Sequence, residues 1–170
     1  FVTNSLDRKK QQAYLEKLSY RDMLTGLYNR NRYIERLEAY KQVQDQQIGA
    51  IYIDLNGLKK VNDEQGHRAG DELIVRAAGT IAGIFAEDAC RVGGDEFVVI
   101  LLDVSREDFA RKTEQLRRQM QENSVDASIG GVWQASTENL ENLLRLADEN
   151  MYREKKRYYS QADAAQKPES

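Results

Sequence analysis

The feature that most constrains the fold is a pair of apolar runs at residues 89–102, separated by two glycines and two acids. Two β-prone runs that flank a Gly-Gly pair predict a β-hairpin, with Gly93 and Gly94 in its turn. Glycine accepts the positive φ that a tight turn demands. Because glycines carry no side chain, they also let a bulky or phosphorylated ligand approach the backbone closely.

Two carboxylates, Asp95 and Glu96, follow these glycines directly. Adjacent acids on a short loop between buried strands repel each other, and a hard cation with oxygen ligands, above all Mg²⁺, would neutralise them. The same pattern also fits a solvated hairpin tip with two surface acids. From this stretch alone, both interpretations stay open.

A further acid, Asp54, ends a predicted strand at residues 48–55, which is β-branched and apolar. A carboxylate at a strand end is costly unless it is paired or bound to a metal ion. After it, Asn56 and Gly57 can cap a short helix through about Glu64, whose free amide groups suit phosphate oxygens. This region therefore combines a candidate metal ligand with a candidate anion cradle.

The remaining elements follow from apolar periodicity. A polar loop is expected at residues 62–71, and we expect a disordered tail at residues 160–170. The spacing of apolar side chains predicts one more strand at residues 125–133. Helices are predicted at residues 29–44, with Tyr33, Ile34, Leu37 and Tyr40 facing the core, and at residues 71–86, 105–122 and 138–159.

Residues 1–20 form a polar, helix-prone segment with sparse apolar positions. Their spacing suits either a helical seam that pairs with a second copy or a solvated linker helix. We treat this segment as a linker or signalling helix and residues 21–159 as the main domain. The positions of the seam are Leu6, Ala13, Leu15 and Leu18.

The size and charge of the chain exclude several classes of protein. Its 170 residues suffice for one domain, and its net charge of −3 argues against nucleic acid as a partner. One cysteine rules out an intrachain disulfide and fits the cytoplasm. No apolar run approaches the roughly 20 residues that cross a bilayer. Since the chain begins with Phe1 rather than Met, we expect a piece of a longer protein, whose upstream sensor or membrane segment stays open.

The two acidic sites, Asp54 and the Asp95-Glu96 pair, could converge on one metal cluster beside a helix start. Nucleotidyl transfer needs such a cluster, because metal ions neutralise a triphosphate, activate a 3′-hydroxyl and stabilise the departing pyrophosphate. The sequence contains no Ser-His-Asp set, zinc-ligand cluster or Walker lysine loop. Phosphoryl chemistry with carboxylate-held Mg²⁺ is the interpretation that remains.

Several motifs in a fixed order resemble the GGDEF domain, the diguanylate cyclase family. The resemblance covers about residues 18–158. The motifs are Asp22-x-Leu24-Thr25-Gly26-Leu27-x-Asn29-Arg30, Asp54-Leu55-Asn56-x-Leu58-Lys59-x-x-Asn62-Asp63, Gly66-His67-x-x-Gly70-Asp71, Arg91-Val92-Gly93-Gly94-Asp95-Glu96-Phe97, Ser128-Ile129-Gly130 and Ala147-Asp148-x-x-Met151-Tyr152-x-x-Lys155.

The resemblance implies an α+β, palm-like nucleotide cyclase fold with a central, mostly antiparallel five-stranded sheet flanked by helices. It also implies condensation of two GTP into cyclic di-GMP and two pyrophosphates, with two Mg²⁺ in each half-site and Mn²⁺ as a substitute. Each domain would bind one GTP, so the catalyst would be a homodimer formed through the half-sites and the N-terminal helix. An upstream sensory domain would then control how the two halves meet.

The resemblance also assigns roles to individual residues. Asp54, the Leu55 carbonyl, Asp95 and Glu96 would hold the metal ions, and Asp95 and Glu96 would be catalytic, with Asp95 helping to deprotonate the 3′-hydroxyl. The residues that would bind substrate are Asn62 and Asp71 at the guanine, Gly93 and Gly94 beside the nucleotide, Lys155 at the terminal phosphates, and Arg91 and Leu58.

The chain departs from the family pattern at three places. Residues 84–87 read Ile-Phe-Ala-Glu where product-inhibited members carry Arg-x-x-Asp, which predicts no tight inhibitory binding there. Asn56 stands where an acid is common. After Lys155 the usual Gly-Arg is replaced by Lys156-Arg157-Tyr158-Tyr159, which leaves open which cation meets the phosphates.

Two alternative functions differ from an active diguanylate cyclase. The first is a non-catalytic module that senses GTP or binds a protein, although degenerate members usually lose an acid or a glycine of the signature, and this chain retains all of them. The second is a cyclase for another purine nucleotide. A carboxylate such as Asp71 argues against it, because it accepts hydrogen bonds from guanine that adenine cannot supply.

Overall fold

The computed structural model describes residues 2–166, without the side chains of residues 2–3 and 16–18. The tail residues 167–170 and the side chain of Leu18 lie outside this description. The elements in chain order are α1 (Val2–Tyr20), α2 (Arg30–Lys41), β1 (Ile48–Leu55), α3 (Leu58–Gln65), α4 (His67–Phe85), a 3₁₀ turn (Ala86–Asp88), β2 (Ala89–Arg91), β3 (Glu96–Leu102), α5 (Arg106–Glu122), β4 (Ala127–Gln134) and α6 (Leu140–Gln166).

One sheet with the strand order β2-β3-β1-β4 organises the domain, and all its pairings are antiparallel. The α+β fold class is confirmed, but the described part of the chain has four strands in this sheet instead of five. Residue patterns predicted four strands, and only the resemblance implied a fifth. Beyond β2, Tyr28 forms a single isolated bridge to Cys90. Tyr28 also forms an isolated bridge to Arg21, so in the described residues this edge has single bridges and no fifth strand.

The sheet is covered on both faces. On one face, Ile51, Ile53 and Leu55 of β1 pack into a core that α4 and α5 complete. On the other face, Ile48 and Ala50 pack in a smaller core with side chains of α2 and α6. Since side chains alternate along a strand, the even-numbered residues of β1 face α6. This alternation places the side chain of Asp54 on the α6 face of the sheet.

Several predicted boundaries and positions differ from the structure. The predicted polar loop at residues 62–71 is wrong, because only Gly66 separates α3 from α4, and its φ of 90° suits glycine. Ile34 is half exposed, not in the core. Helix α6 continues to Gln166, seven residues past the predicted end, because residues 160–166 contain no helix breaker. Strand β1 is confirmed at both ends.

Helix α1 joins the domain through a tight polar junction. Asn29 caps α2 by accepting from the Arg32 amide, and it also contacts the end of α1: its Nδ2 donates to Ser19 O and its backbone N–H donates to Tyr20 O, at 2.9 and 2.8 Å. Along α1, Leu6 and Leu15 are exposed. Within residues 2–166, no helix combines the length and apolar character that crossing a membrane requires.

Candidate active site

Three carboxylates meet where β1 ends and the hairpin turns. Asp54 lies directly opposite Glu96 in the β1–β3 register, and the Leu55 amide donates to Asp95 O at 2.9 Å. One carboxylate oxygen from each of Asp54, Asp95 and Glu96 lies within 4.8 Å of the others. The predicted convergence of the two acidic sites is therefore what the structure shows.

The turn between β2 and β3, here called the signature turn, contains Gly93 and Gly94 as predicted, but its backbone conformation is not the predicted one. The hairpin of β2 and β3 forms as predicted, yet neither Gly93 nor Gly94 adopts a positive φ. A Cβ on Gly93 would lie 2.8 Å from Glu96 Oε2, so a side chain there would displace the exposed Glu96 carboxylate from its present place in the cluster. A Cβ on Gly94 would meet no atom within 4 Å, so this side of the turn faces open space.

Arg91 holds the signature turn from behind. Its Nη1 lies 3.1 Å from both carboxylate oxygens of Asp22, and its Nη2 donates to Gly94 O at 2.7 Å. Asp22 in turn accepts from the amide and hydroxyl of Thr25. Arg91 therefore contacts two parts of the protein through its guanidinium group, and its predicted contact with substrate stays a prediction.

Lys155 reaches from α6 to the end of β1. Its Nζ lies 3.0 Å from Asp54 Oδ1 and donates to Leu55 O at 2.8 Å. Burial raises the pKa of Asp54 to about 6; the Lys155 ammonium opposes this shift, and the neighbouring Asp95 carboxylate adds to it. A cation already contacts two of the predicted metal ligands, so these oxygens suit positive charge.

The oxygens of this cluster fit a divalent metal ion. Carboxylate and backbone carbonyl oxygens are the ligands that Mg²⁺ prefers. The buried Asp54 Oδ1 has the Lys155 ammonium at 3.0 Å as its charged neighbour, and a metal ion would take over this balance of charge. Asp54, Leu55, Asp95 and Glu96 would supply the ligands.

The two predicted guanine-binding residues lie on consecutive helices. Asn62 of α3 packs onto Gly70 of α4, where any Cβ would collide with its Oδ1. Asp71 follows Gly70 and is exposed. Among the described residues, Asn62 Oδ1 has no hydrogen-bond partner. The Asp71 side chain forms no hydrogen bond or ion pair within the same part of the chain. Leu58 begins α3 and packs against the larger core.

Asn56, which stands where the family commonly has an acid, forms hydrogen bonds with Ser128 in β4 and with Asp126, just before β4. Its Nδ2 donates to Asp126 Oδ1 at 2.9 Å, and its Oδ1 accepts from the Ser128 hydroxyl at 2.8 Å. Because its side chain is buried in these contacts, Asn56 fixes the backbone after Asp54. Sequence reasoning missed both partners, which lie about 70 residues away with no motif linking them.

Glu87, the last residue of the segment 84–87, contacts two arginines. Glu87 Oε2 lies 2.8 Å from Arg21 Nη2, and Glu87 O accepts from Arg36. Hydrogen bonds from Tyr28 and Arg21 lower the pKa of Glu87. A carboxylate therefore occupies the position where product-inhibited family members carry the Asp of Arg-x-x-Asp.

The fold and the carboxylate cluster define a class: an antiparallel α+β domain whose hairpin presents acids suited to a divalent cation. The sequence comparison is more specific. A family model described as "Diguanylate cyclase, GGDEF domain" matches residues 19–161. The chain belongs to the GGDEF domain family, which confirms the family inferred from its motifs.

Similar proteins include two bacterial relatives. The response regulator PleD of Caulobacter vibrioides is 31% identical over 180 residues, covering 91% of this chain and 39% of PleD. The probable diguanylate cyclase DgcT of Escherichia coli is 30% identical over 155 residues, covering 82% of this chain and 34% of DgcT. This chain spans less than half the length of either relative.

A solved structure with a similar fold contains the coiled coil and GGDEF domain of DgcB from Caulobacter crescentus in complex with c-di-GMP. Its TM-score is 0.81 at 22% identity, with 91% of both chains covered. At this identity the similarity shows the fold alone.

Proposed function

We propose that this chain is an active diguanylate cyclase domain, which condenses two GTP into cyclic di-GMP and two pyrophosphates. The observation that carries the proposal is the meeting of Asp54, Asp95 and Glu96 within 4.8 Å of one another. Family membership and the similarity to DgcT support the same activity.

Asp54, Asp95, Glu96 and the Leu55 carbonyl would hold two Mg²⁺, with Mn²⁺ as a substitute. When bound, divalent cations neutralise the triphosphate and stabilise charge on the leaving pyrophosphate. Asp95 takes the proton of the attacking 3′-hydroxyl, and Lys155 binds the terminal phosphates. The contact of the Lys155 ammonium with Asp54 and Leu55 supports this placement, because it brings a phosphate-binding cation to the metal ligands.

Asn62 and Asp71 would select guanine over adenine. Asp71 accepts from N1–H and the exocyclic amine of guanine, which adenine cannot supply. The unpartnered Asn62 Oδ1 supports the assignment, since a buried acceptor without a partner is costly and a ligand donor would satisfy it. Equal turnover of GTP and ATP would instead support the broader purine alternative.

Catalysis would require two copies of the chain. Each copy presents one carboxylate cluster for one GTP, so the two nucleotides must meet across a homodimer. The exposed apolar side chains Leu6, Tyr14 and Leu15 on α1 support pairing through this helix, as does the coiled coil of the DgcB structure. An upstream sensory domain would act by changing how α1 pairs. Because GTP is an intracellular nucleotide, the domain would work in the cytoplasm.

Incubation of the chain with GTP and Mg²⁺, followed by product identification, tests the proposal. We expect cyclic di-GMP and pyrophosphate, with specific activity rising with protein concentration as dimers form. The D95N variant is the control for contaminating cyclase. Binding of GTP without product at any protein concentration would favour the non-catalytic module instead.

A further inference from the structure

Two polar side chains of helix α6 lie along the connection between β1 and α3. Lys155 Nζ contacts Leu55 O, and one turn later the Tyr158 hydroxyl stands over Gly57. Residues three apart on a helix share a face, so both side chains point at the same connection. The order along α6 therefore matches the order along the loop after Asp54.

The contact at Gly57 is close. A Cβ on Gly57 would lie 2.9 Å from the Tyr158 hydroxyl oxygen, so this oxygen touches the loop backbone. Gly57 has a φ of 71° and is the N-cap of α3, where it provides no capping side chain. The first amides of α3 are therefore left without a side-chain acceptor, beside a tyrosine hydroxyl.

The Tyr158 hydroxyl is available as a donor. Its side chain is half-buried, and its hydroxyl forms no hydrogen bond with any residue in the described range 2–166. The ring of Tyr158 is held edge-on against Tyr159, with centroids 5.3 Å apart. The Tyr158 hydroxyl is therefore an unused donor beside a loop that suits phosphate oxygens. A ligand oxygen could accept its hydrogen bond.

Two lysines near Tyr158 already have contacts within the domain. Lys156 Nζ lies over the ring of Tyr152 at 4.9 Å, and Lys155 is engaged by Asp54 and Leu55. The Gly-Arg usual in this family after the matching lysine is replaced here by Lys156-Arg157-Tyr158-Tyr159, and Arg157 is exposed.

We propose that Tyr158 positions the triphosphate by donating a hydrogen bond from its hydroxyl to a β- or γ-phosphate oxygen beside Gly57. The proposal rests on the proposed function, because it assumes that GTP lies with its phosphates on the β1–α3 connection. Tyr158 is a substrate-positioning residue in the segment that replaces the usual Gly-Arg of the family.

Calorimetric titration with a non-cleavable GTP analogue and, separately, with GMP tests the assignment in the presence of Mg²⁺. The Y158F variant keeps the aromatic ring and removes the hydroxyl donor. We expect Y158F to bind the triphosphate about tenfold to a hundredfold more weakly, since a hydrogen bond to a charged phosphate oxygen contributes this much. GMP binding should stay within about twofold, because GMP lacks the β- and γ-phosphates.

The matched control is Y159F, which removes a hydroxyl from the adjacent and more exposed tyrosine; its triphosphate affinity should equal that of the wild type. Equal triphosphate binding by wild type and Y158F, or an equal loss for GMP and triphosphate, would overturn the role of Tyr158 while leaving the cyclase proposal intact. If the wild type binds neither nucleotide, the proposed function fails and the assignment fails with it.

Discussion

Asp22 and Arg91 form an ion pair that links the turn before α2 to the signature hairpin, with Arg91 Nη1 3.1 Å from each Asp22 oxygen. Burial opposes ionisation of Asp22, but the hydrogen bonds from Thr25 and Arg91 outweigh it and lower the pKa below its usual 3.8. A lowered native pKa stabilises the fold above the unfolded value, and this contribution is lost as the pH falls through the native value.

We therefore expect D22N to lower the free energy of unfolding by about 1–3 kcal/mol at pH 7, the range for hydrogen bonds to charged groups. Below pH 3.8 the gap between D22N and the wild type should narrow progressively, because the unfolded chain takes up its proton there while the native carboxyl is protonated only at a lower pH. Urea denaturation from pH 3 to pH 7 measures both quantities. An unchanged gap across this range would contradict the stabilising role of the Asp22 carboxylate.

The carboxylate cluster should be needed for turnover and dispensable for folding. We expect D95N and E96Q to reduce cyclic di-GMP formation by about 100-fold or more, because each removes a ligand of the charge-stabilising cations. Glu96 is exposed and the Asp95 side chain makes no core contact, so melting temperatures should change little. Product formation and thermal denaturation are measured together, with the exposed Glu114 on α5 giving the control E114Q. Normal activity in both variants would remove the catalytic assignment.

Gly130 on β4 sets how closely α6 approaches the sheet. A Cβ there would collide with Met151 N and Ala147 O, so G130A must push α6 outward. We expect a loss of stability of about 1–3 kcal/mol from overpacking and lower GTP affinity, since α6 carries Lys155. The neighbouring G131A is the matched control, because its closest contact, Phe109 Cζ, lies at 3.3 Å and belongs to a side chain. Equal stability of the two variants would show that α6 adapts without cost.

The replacement of Arg-x-x-Asp by residues 84–87 should abolish tight product binding at that position. Ile84 offers no guanidinium where those members carry the arginine, and the ion pair of Glu87 with Arg21 occupies a cation that could otherwise bind the product. Titration of cyclic di-GMP into the chain should give no binding of a product dimer at this surface. Protection of Glu87 and its neighbours from hydrogen exchange on addition of cyclic di-GMP would contradict the prediction.

Local patterns predicted most of the fold. Strand β1, the β2–β3 hairpin and the Ser105 cap of α5 follow from adjacent residues, and the structure confirms them. The start of α4 was missed because residues 67–70 are polar or small, so their helical state depends on packing against α3 and not on an apolar stripe. The fifth strand came from the family and had no counterpart in the residue pattern.

The carboxylate site was predicted in outline, because strand ends and hairpin turns can be located from local sequence. The contacts that hold the site in place were not predicted. The contacts of Arg91 with Asp22, of Asn56 with Ser128 and of Lys155 with Leu55 join residues about 70 to 100 positions apart. Spacing along the chain contains no information about such pairs, since tertiary packing alone brings them together.

The pairing of Asp54 with Glu96 has a consequence for how this domain can tolerate insertions and deletions. If the β1–β3 ladder slipped by one residue, Glu96 would turn to the opposite face and the buried ring of Phe97 would be forced out of the apolar interior. The loss of that burial opposes the slip, so hydrophobic packing preserves the spacing of the acids. The hairpin between residues 92 and 95 is therefore expected to keep a fixed length, whereas surface connections elsewhere can vary.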